Sequence, residues 1–194
     1  MKRQSLAELE LWILGTYSKQ AMFILEVGTG HSTNVLAKAL REDGEMTTID
    51  IQEDFSMEKN SRVTYLIGTS IKQSDMILMG DPRFFPSPYK NVPDESIAYG
   101  LSEIQEPCDL IRKACEGKKL DFYFGDSGEY CGLAEWNIVK DLIVVGGYIA
   151  LHDIHYPKSS KNFQVYNEIR KSNNWHIHIK TGTIAGFVIA EKLK

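Results

Sequence analysis

Met22–Val27 is a short apolar run that stops at Gly28-Thr29-Gly30-His31-Ser32, and Met46–Ile51 is a second run holding Asp50 at its end. Glycines between a strand and a helix let the backbone turn sharply and let a ligand come close to it. Asp50 stands 22 residues after Gly28, the kind of spacing at which an acidic side chain reaches the hydroxyls of a ribose. The pairing of loop and carboxylate therefore points to a nucleotide-like ligand. Further along, Asp126 follows the run Leu120–Phe124, and His152-Asp153 follows Gly147–Leu151. If these runs are neighbouring strands, both ends meet at the carboxyl edge of one sheet, where ligands of open α/β sheets bind.

Glu26 precedes the loop. A carboxylate there repels a pyrophosphate and attracts a cation, which favours a ligand with a cationic amino-acid end, such as S-adenosyl-L-methionine, over NAD. Dinucleotide loops also want a third glycine, where this chain has Thr33. The alternative for Glu26 is a structural one, hydrogen bonding within the turn.

The elements that must position these residues are short and alternate in kind. Ser5-Leu6-Ala7-Glu8 has the pattern of a capping box, followed by Leu6, Leu9, Ile13 and Tyr17 at helical spacing. Val35, Leu36, Ala39 and Leu40 mark a helix that Asp43-Gly44 is expected to end. Val63–Ile67 reads as a third strand, Leu120–Phe124 as a fourth and Gly147–Leu151 as a fifth, with helices around Trp136, Ile138 and Leu142 and around Phe163, Tyr166 and Ile169. His176–Lys180 and Ile184–Ala190 flank the turn-like Thr181-Gly182-Thr183. Buried strands alternating with amphipathic helices imply βαβ units. The expected fold is α/β, a doubly wound, mostly parallel seven-stranded sheet with a C-terminal antiparallel hairpin, forming one domain over residues 1–194.

Residues 71–117 break this rhythm. They hold Pro82, Pro86, Pro88 and Pro93 beside Phe84, Phe85, Tyr89 and Tyr99, and end in a helical stretch, Cys108–Cys115. Such an excursion is expected to be a lid, a binding loop or a dimer contact, with a disordered surface insertion as the alternative, and its aromatic rings suit stacking on a planar ring or sugar face.

Composition removes several classes. With 43% hydrophobic and 25% charged residues the 194-residue chain is globular in type. Its 22 basic against 26 acidic residues, net −4, provide no footprint for nucleic acid. No apolar stretch approaches the ~20 residues of a membrane span. Cys108, Cys115 and Cys131 make neither a metal pair nor an even disulfide set, so a cytoplasmic protein is expected.

The sequence resembles the class I S-adenosylmethionine-dependent methyltransferases, whose fold is Rossmann-like. The resemblance rests on Glu26-Val27-Gly28-Thr29-Gly30, Thr48-Ile49-Asp50-Ile51 and Phe122-Tyr123-Phe124-Gly125-Asp126. The segment Gly146–Asp153 is similar to the fifth-strand motif of a branch that holds catechol-type, macrolide-sugar and antibiotic-tailoring O-methyltransferases. It implies that Glu26, Gly28, Thr29, Gly30 and Ser32 hold the methionine part of the cofactor, Asp50 the ribose, and Thr69 and Ser70 the adenine side, with Asp126 at the same cavity. Thr69 stands where relatives often carry an acidic residue. For the metal-dependent branch it implies Mg²⁺ on Asp126 and Asp153, with His152 beside them. Imidazole is a soft ligand for Mg²⁺, which leaves another divalent metal or none, and Asp126 has the alternative of capping a helix.

Transfer to a hydroxyl requires loss of its proton, and His155, Glu129 and Asp126 are the candidates to assist it. The His or Lys that relatives carry after this aspartate is absent from Ser127-Gly128-Glu129-Tyr130. The expected function is O-methylation of a small hydroxylated molecule or sugar. The competing functions are a cofactor-binding module without catalysis and an NAD-linked oxidoreductase.

Overall fold

The computed structural model describes residues 6–52, 59–76, 106–128, 131–155 and 161–194. Most of the 71–117 excursion, together with Ser5, Glu129, Tyr156 and Pro157, lies outside the described residues. The expectations of a lid or dimer contact and of Glu129 as a base fall there.

The chain runs α1 (Glu8–Tyr17), β1 (Phe23–Val27), α2 (His31–Ala39), β2 (Glu45–Asp50), β3 (Val63–Ile67), α3 (Leu110–Ala114), β4 (Leu120–Gly125), α4 (Gly132–Val139), β5 (Ile143–His152), α5 (Phe163–Lys171), β6 (Trp175–Lys180) and β7 (Phe187–Lys192). One seven-stranded sheet has the order β3-β2-β1-β4-β5-β7-β6. The first five strands pair in parallel, whereas β7 is antiparallel to both β5 and β6. The predicted α/β class, strand number and terminal hairpin match this sheet.

Strand periodicity explains the two layers of helices. Alternate residues of a strand face opposite sides. Ile24, Phe122 and Phe124 accordingly pack with Ile13, Leu14, Leu36 and Ala37 of α1 and α2, while Leu25, Tyr123 and Ile149 pack with Leu133, Trp136, Val165 and Ile169 of α4 and α5. Both faces of the central strands are apolar because both are covered. Each large side chain so buried stabilises the fold by roughly 1.5–3 kcal/mol.

The sequence misjudged several boundaries. The inner face of α1 is Glu10, Ile13 and Leu14; Leu9 is exposed, because a buried carboxylate takes the place its periodicity gave to a leucine. Helix α2 ends at Ala39 rather than at Asp43-Gly44. The helix expected over Cys108–Cys115 spans only Leu110–Ala114. Strand β5 begins at Ile143, before the glycine pair, since a register irregularity against β4 absorbs Gly146 at φ 82°. Strand β7 starts at Phe187, which leaves Ile184 exposed in the connecting loop.

The order of the sheet fixes where a ligand fits. From β1 the chain winds outward through β2 and β3, then returns to the other side of β1 as β4. The crevice outside the carboxyl ends of β1 and β4 is the switch point at which ligands of such sheets bind.

Candidate functional site

A cavity of about 540 Å³ opens at that switch point, within the usual range for small-molecule sites. Its wall includes Gly28–Ser32 after β1, Asp50 at the end of β2, Gly68–Ser70 after β3, Asp126–Gly128 after β4, Asp153 after β5, and Lys161.

On the loop side the geometry is set by backbone contacts and hydroxyls. Gly28 has φ 98°, and a Cβ there would lie 2.4 Å from the carbonyl oxygen of Asp126, so glycine is required by the close approach of two strand ends. Gly30 is extended, and a Cβ added to it would meet nothing within 4 Å. At the first turn of α2, Thr33 Oγ1 accepts the Gly30 N–H (3.0 Å). Helix N-termini present unpaired N–H groups and a positive dipole end, a natural seat for a carboxylate or phosphate. Asp50 accepts the N–H of Thr29 (2.9 Å) and of Gln52 (3.1 Å), which holds its carboxylate at the cavity wall.

Glu26 is not on that wall. It lies fully buried beneath the loop and accepts hydrogen bonds from Ser32 Oγ (2.6 Å), Thr33 Oγ1 (2.5 Å) and Thr48 Oγ1 (2.8 Å). Burial lifts its pKa from 4.5 to about 7; the three hydroxyls lower it only in part, and the nearby charge of Asp126 raises it further. The ionic contact expected between Glu26 and a cationic ligand gives way to a structural role. Glu26 ties the loop, α2 and β2 together, the alternative raised from the sequence.

Across the cavity the chemistry is ionic. Asp126, His152 and Asp153 are brought together, one ligand-type atom from each lying within 4.8 Å of the others. His152 Nδ1 is 3.4 Å from Asp126 and 3.7 Å from Asp153. Lys161, which the sequence reading passed over, places its ammonium 2.9 Å from Asp126 and 2.7 Å from Asp153. Burial opposes charge on Asp126, yet the neighbouring Lys161 and His152 outweigh it and hold the carboxyl below its ordinary pKa. Burial likewise opposes charge on His152 and Lys161, and the facing carboxylates raise both above their ordinary values. Mg²⁺ takes near-octahedral oxygen ligands at about 2.1 Å. A set of two carboxylates already joined to an ammonium, plus an imidazole, does not fit that ion.

Other residues missed in the sequence support the site from below. Asn162 donates its side-chain amide to the carbonyls of Gly125 (3.0 Å) and His152 (2.8 Å), clamping the ends of β4 and β5. Its position ahead of an amphipathic helix was the available signal, since asparagine favours helix starts. Glu135, buried on α4, accepts from Ser70 Oγ (2.5 Å), Ser127 Oγ (2.8 Å) and Tyr123 Oη (3.1 Å), so two cavity residues hang on one carboxylate. Glu10 of α1 accepts from Thr181 and Thr183 (2.8 and 2.6 Å) and lies 4.0 Å from His152 Nε2.

The structure places His155 elsewhere. Its Nδ1 lies 3.0 Å from the Thr183 carbonyl, its ring packs on Gly186, and it is not among the residues lining the cavity. Thr69 and Ser70 are at the wall as expected, where the chain returning through Pro107–Ile111 is stitched to them: Thr69 N–H donates to Pro107 and Ile111 N–H to Ser70.

No family model and no curated protein sequence matches this chain. Solved structures do. The O-methyltransferase TomG from Streptomyces achromogenes, involved in tomaymycin synthesis and solved in complex with SAM, is 14% identical with a TM-score of 0.59, over 100% of this chain and 84% of that one. A methyltransferase from Geobacter sulfurreducens is 12% identical with a TM-score of 0.58, over 97% and 80%. The O-methyltransferase from Bacillus cereus in complex with SAH is 14% identical with a TM-score of 0.54, over 98% and 83%. The fold is the one these methyltransferases share.

Proposed function

We propose that the chain is an S-adenosyl-L-methionine-dependent methyltransferase acting on an oxygen of a small hydroxylated molecule. The observation that carries this reading is the cavity at the β1/β4 switch point, with the α2 N-terminus on one side and Asp50 on the other. The strand order supports it against an NAD-linked oxidoreductase: dinucleotide folds run 3-2-1-4-5-6, whereas an antiparallel β7 stands between β5 and β6 here. Thr33 in place of the third glycine agrees, since its hydroxyl is engaged by Glu26 and Gly30.

The residues fit the cofactor. The open space at Gly30 and the first N–H groups of α2 suit the carboxylate of its methionine part, Asp50 the ribose hydroxyls, and Thr69 and Ser70 the adenine side. When bound, the cofactor supplies an electrophilic methyl group on a sulfonium. Asp126, kept ionised by Lys161 and His152, is the acceptor for the hydroxyl's hydrogen bond, and it orients the oxygen for attack. Three cysteines free of disulfides agree with a cytoplasmic setting, and among the described residues no helix is long and apolar enough to cross a membrane.

Calorimetry with S-adenosyl-L-methionine and S-adenosylhomocysteine tests the reading, with binding of both expected and absence of both refuting it. Methyl transfer to a library of hydroxylated compounds then separates an enzyme from a binding module, and a titration of NADH fluorescence excludes or restores the oxidoreductase.

A further inference from the structure

We propose that Lys161 occupies the divalent-metal position of the Asp126/His152/Asp153 cluster with the chain's own ammonium, so that the acceptor's oxygen meets a fixed monocation there. The half of this concerning metal stands on the cluster alone; the half concerning the acceptor rests on the methyl-transfer reading above.

Three observations converge. The first is position. Lys161 is followed by Asn162, whose amide bridges Gly125 and His152 and whose N–H donates to the Asp153 carbonyl at 3.2 Å. On the same side the Lys161 carbonyl lies against Gly132, where a Cβ would come within 2.4 Å of it. The lysine backbone is therefore held by the ends of β4 and β5 and by the start of α4. A salt bridge formed by a loosely held surface chain has no such support.

The second is charge. Asp126 and Asp153 are the two carboxylates of the cluster, and the ammonium contacts both at ordinary ion-pair distances. His152 is the remaining donor, only 1% exposed, and Glu10 stands behind it at 4.0 Å. A divalent ion entering this space must displace an ammonium that is itself mostly buried and doubly paired, and beyond the two carboxylates so released it gains only one imidazole nitrogen. Mg²⁺ dehydrates reluctantly even for oxygen ligands. The third is access. Lys161, Asp126 and Asp153 line the same cavity as Gly28–Ser32. An ammonium is a hydrogen-bond donor with no acceptor capacity, so it favours a hydroxyl whose oxygen develops negative charge as its hydrogen is drawn to Asp126, such as a phenol.

Mn²⁺ titration of the full chain, followed by electron paramagnetic resonance, tests the metal half without any cofactor. The unaltered chain is expected to take up no Mn²⁺ at submillimolar concentration. Lys161→Gln should gain binding by roughly tenfold or more, and Lys161→Gln combined with Asp153→Asn should lose it again. Stoichiometric Mn²⁺ uptake by the unaltered chain overturns the proposal, as does a folded Lys161→Gln variant without gain. The first of these readings needs no variant and so survives a failure of Lys161→Gln to fold. S-adenosylhomocysteine calorimetry on the same samples keeps the two ideas apart: no binding with the expected Mn²⁺ pattern refutes methyl transfer and leaves the lysine-filled cluster standing. For the acceptor half, transfer to phenolic compounds should be unchanged by a chelator and fall at least about tenfold in Lys161→Gln. Loss of transfer on chelation refutes it.

Discussion

Glu26 lies buried beneath the loop that walls the cavity, and Asp126 lies half-buried on the wall itself, at the ends of adjacent strands. Their surroundings differ in kind. Glu26 has three hydroxyl donors and, among the described residues, no cation, and its pKa rises to about 7. Asp126 faces Lys161 and His152, and its pKa falls below the ordinary value. Hydrogen bonds from neutral groups do not offset the desolvation of a carboxylate here, whereas an adjacent ammonium does. The loop side of the cavity is thus held by carboxylates bonded to hydroxyls and backbone N–H groups rather than by ion pairs. The opposite side is held by a charge network that must be kept intact for its carboxylates to stay ionised.

The largest effect should come from breaking that network. Lys161→Met leaves Asp126 and Asp153 without their cation in a mostly buried site, at a cost of about 3 kcal/mol in unfolding free energy by denaturant titration. The pH profile gives the sign. The depressed pKa of Asp126 contributes stability above the unfolded-state pKa, and this is lost as pH falls through the folded-state value. In Lys161→Met that acid-side contribution should disappear. A profile unchanged in shape contradicts the pairing.

Gly28→Val should cost nearly as much, about 3 kcal/mol, for a reason that differs from the one the sequence suggested. The side chain collides with the Asp126 backbone and not with a ligand, so the loss should appear as a lowered Tm without cofactor present.

On the loop side, Glu26 makes the opposite pH prediction. A folded-state pKa of about 7 against 4.5 means that its contribution is complete below about 4.5 and is lost as pH rises to about 7. That window corresponds to roughly 3 kcal/mol at most. Glu26→Gln should flatten the stability profile between those values, and a slope that persists assigns it to another group. Asp50→Ala should act on binding more than on folding, weakening S-adenosylhomocysteine by about 1–3 kcal/mol in calorimetry.

The two sides also differed in how well the sequence announced them. Gly28, Gly30 and Asp50 are close in sequence and sit at strand ends, and a strand end is visible as the place where an apolar run stops. Asp126, His152 and Asp153 were legible by the same rule. The sheet was legible because both faces of its central strands are buried, which writes them as unbroken apolar runs. Lys161, Asn162, Glu135 and Glu10 were not, because each reaches the site from a helix or from the approach to one, through contacts between residues far apart in the chain. The marks they left were a charged residue on the apolar face of a helix, as at Glu135 between Leu133 and Trp136, and an asparagine ahead of a helix, as at Asn162. His155 misled for the converse reason: it is near Asp153 in sequence, but the β6–β7 loop takes its ring.

The finest division of the loop lies between its own two glycines. Gly28 and Gly30 look equivalent in a Gly-x-Gly pattern, yet Gly30 has an extended backbone that any residue adopts, and a Cβ there faces open space. Gly30→Ala should therefore leave folding stability within about 0.5 kcal/mol of the unaltered chain. The side chain enters the volume assigned to the methionine carboxylate, so affinity for S-adenosylhomocysteine should fall while Tm holds. Paired melting and calorimetry read the two quantities separately. A stability loss as large as that of Gly28→Val would place Gly30 among the structural joints of the loop. Undiminished affinity would move the carboxylate seat away from the α2 N-terminus, and with it the assignment of which end of the cavity holds the methionine part.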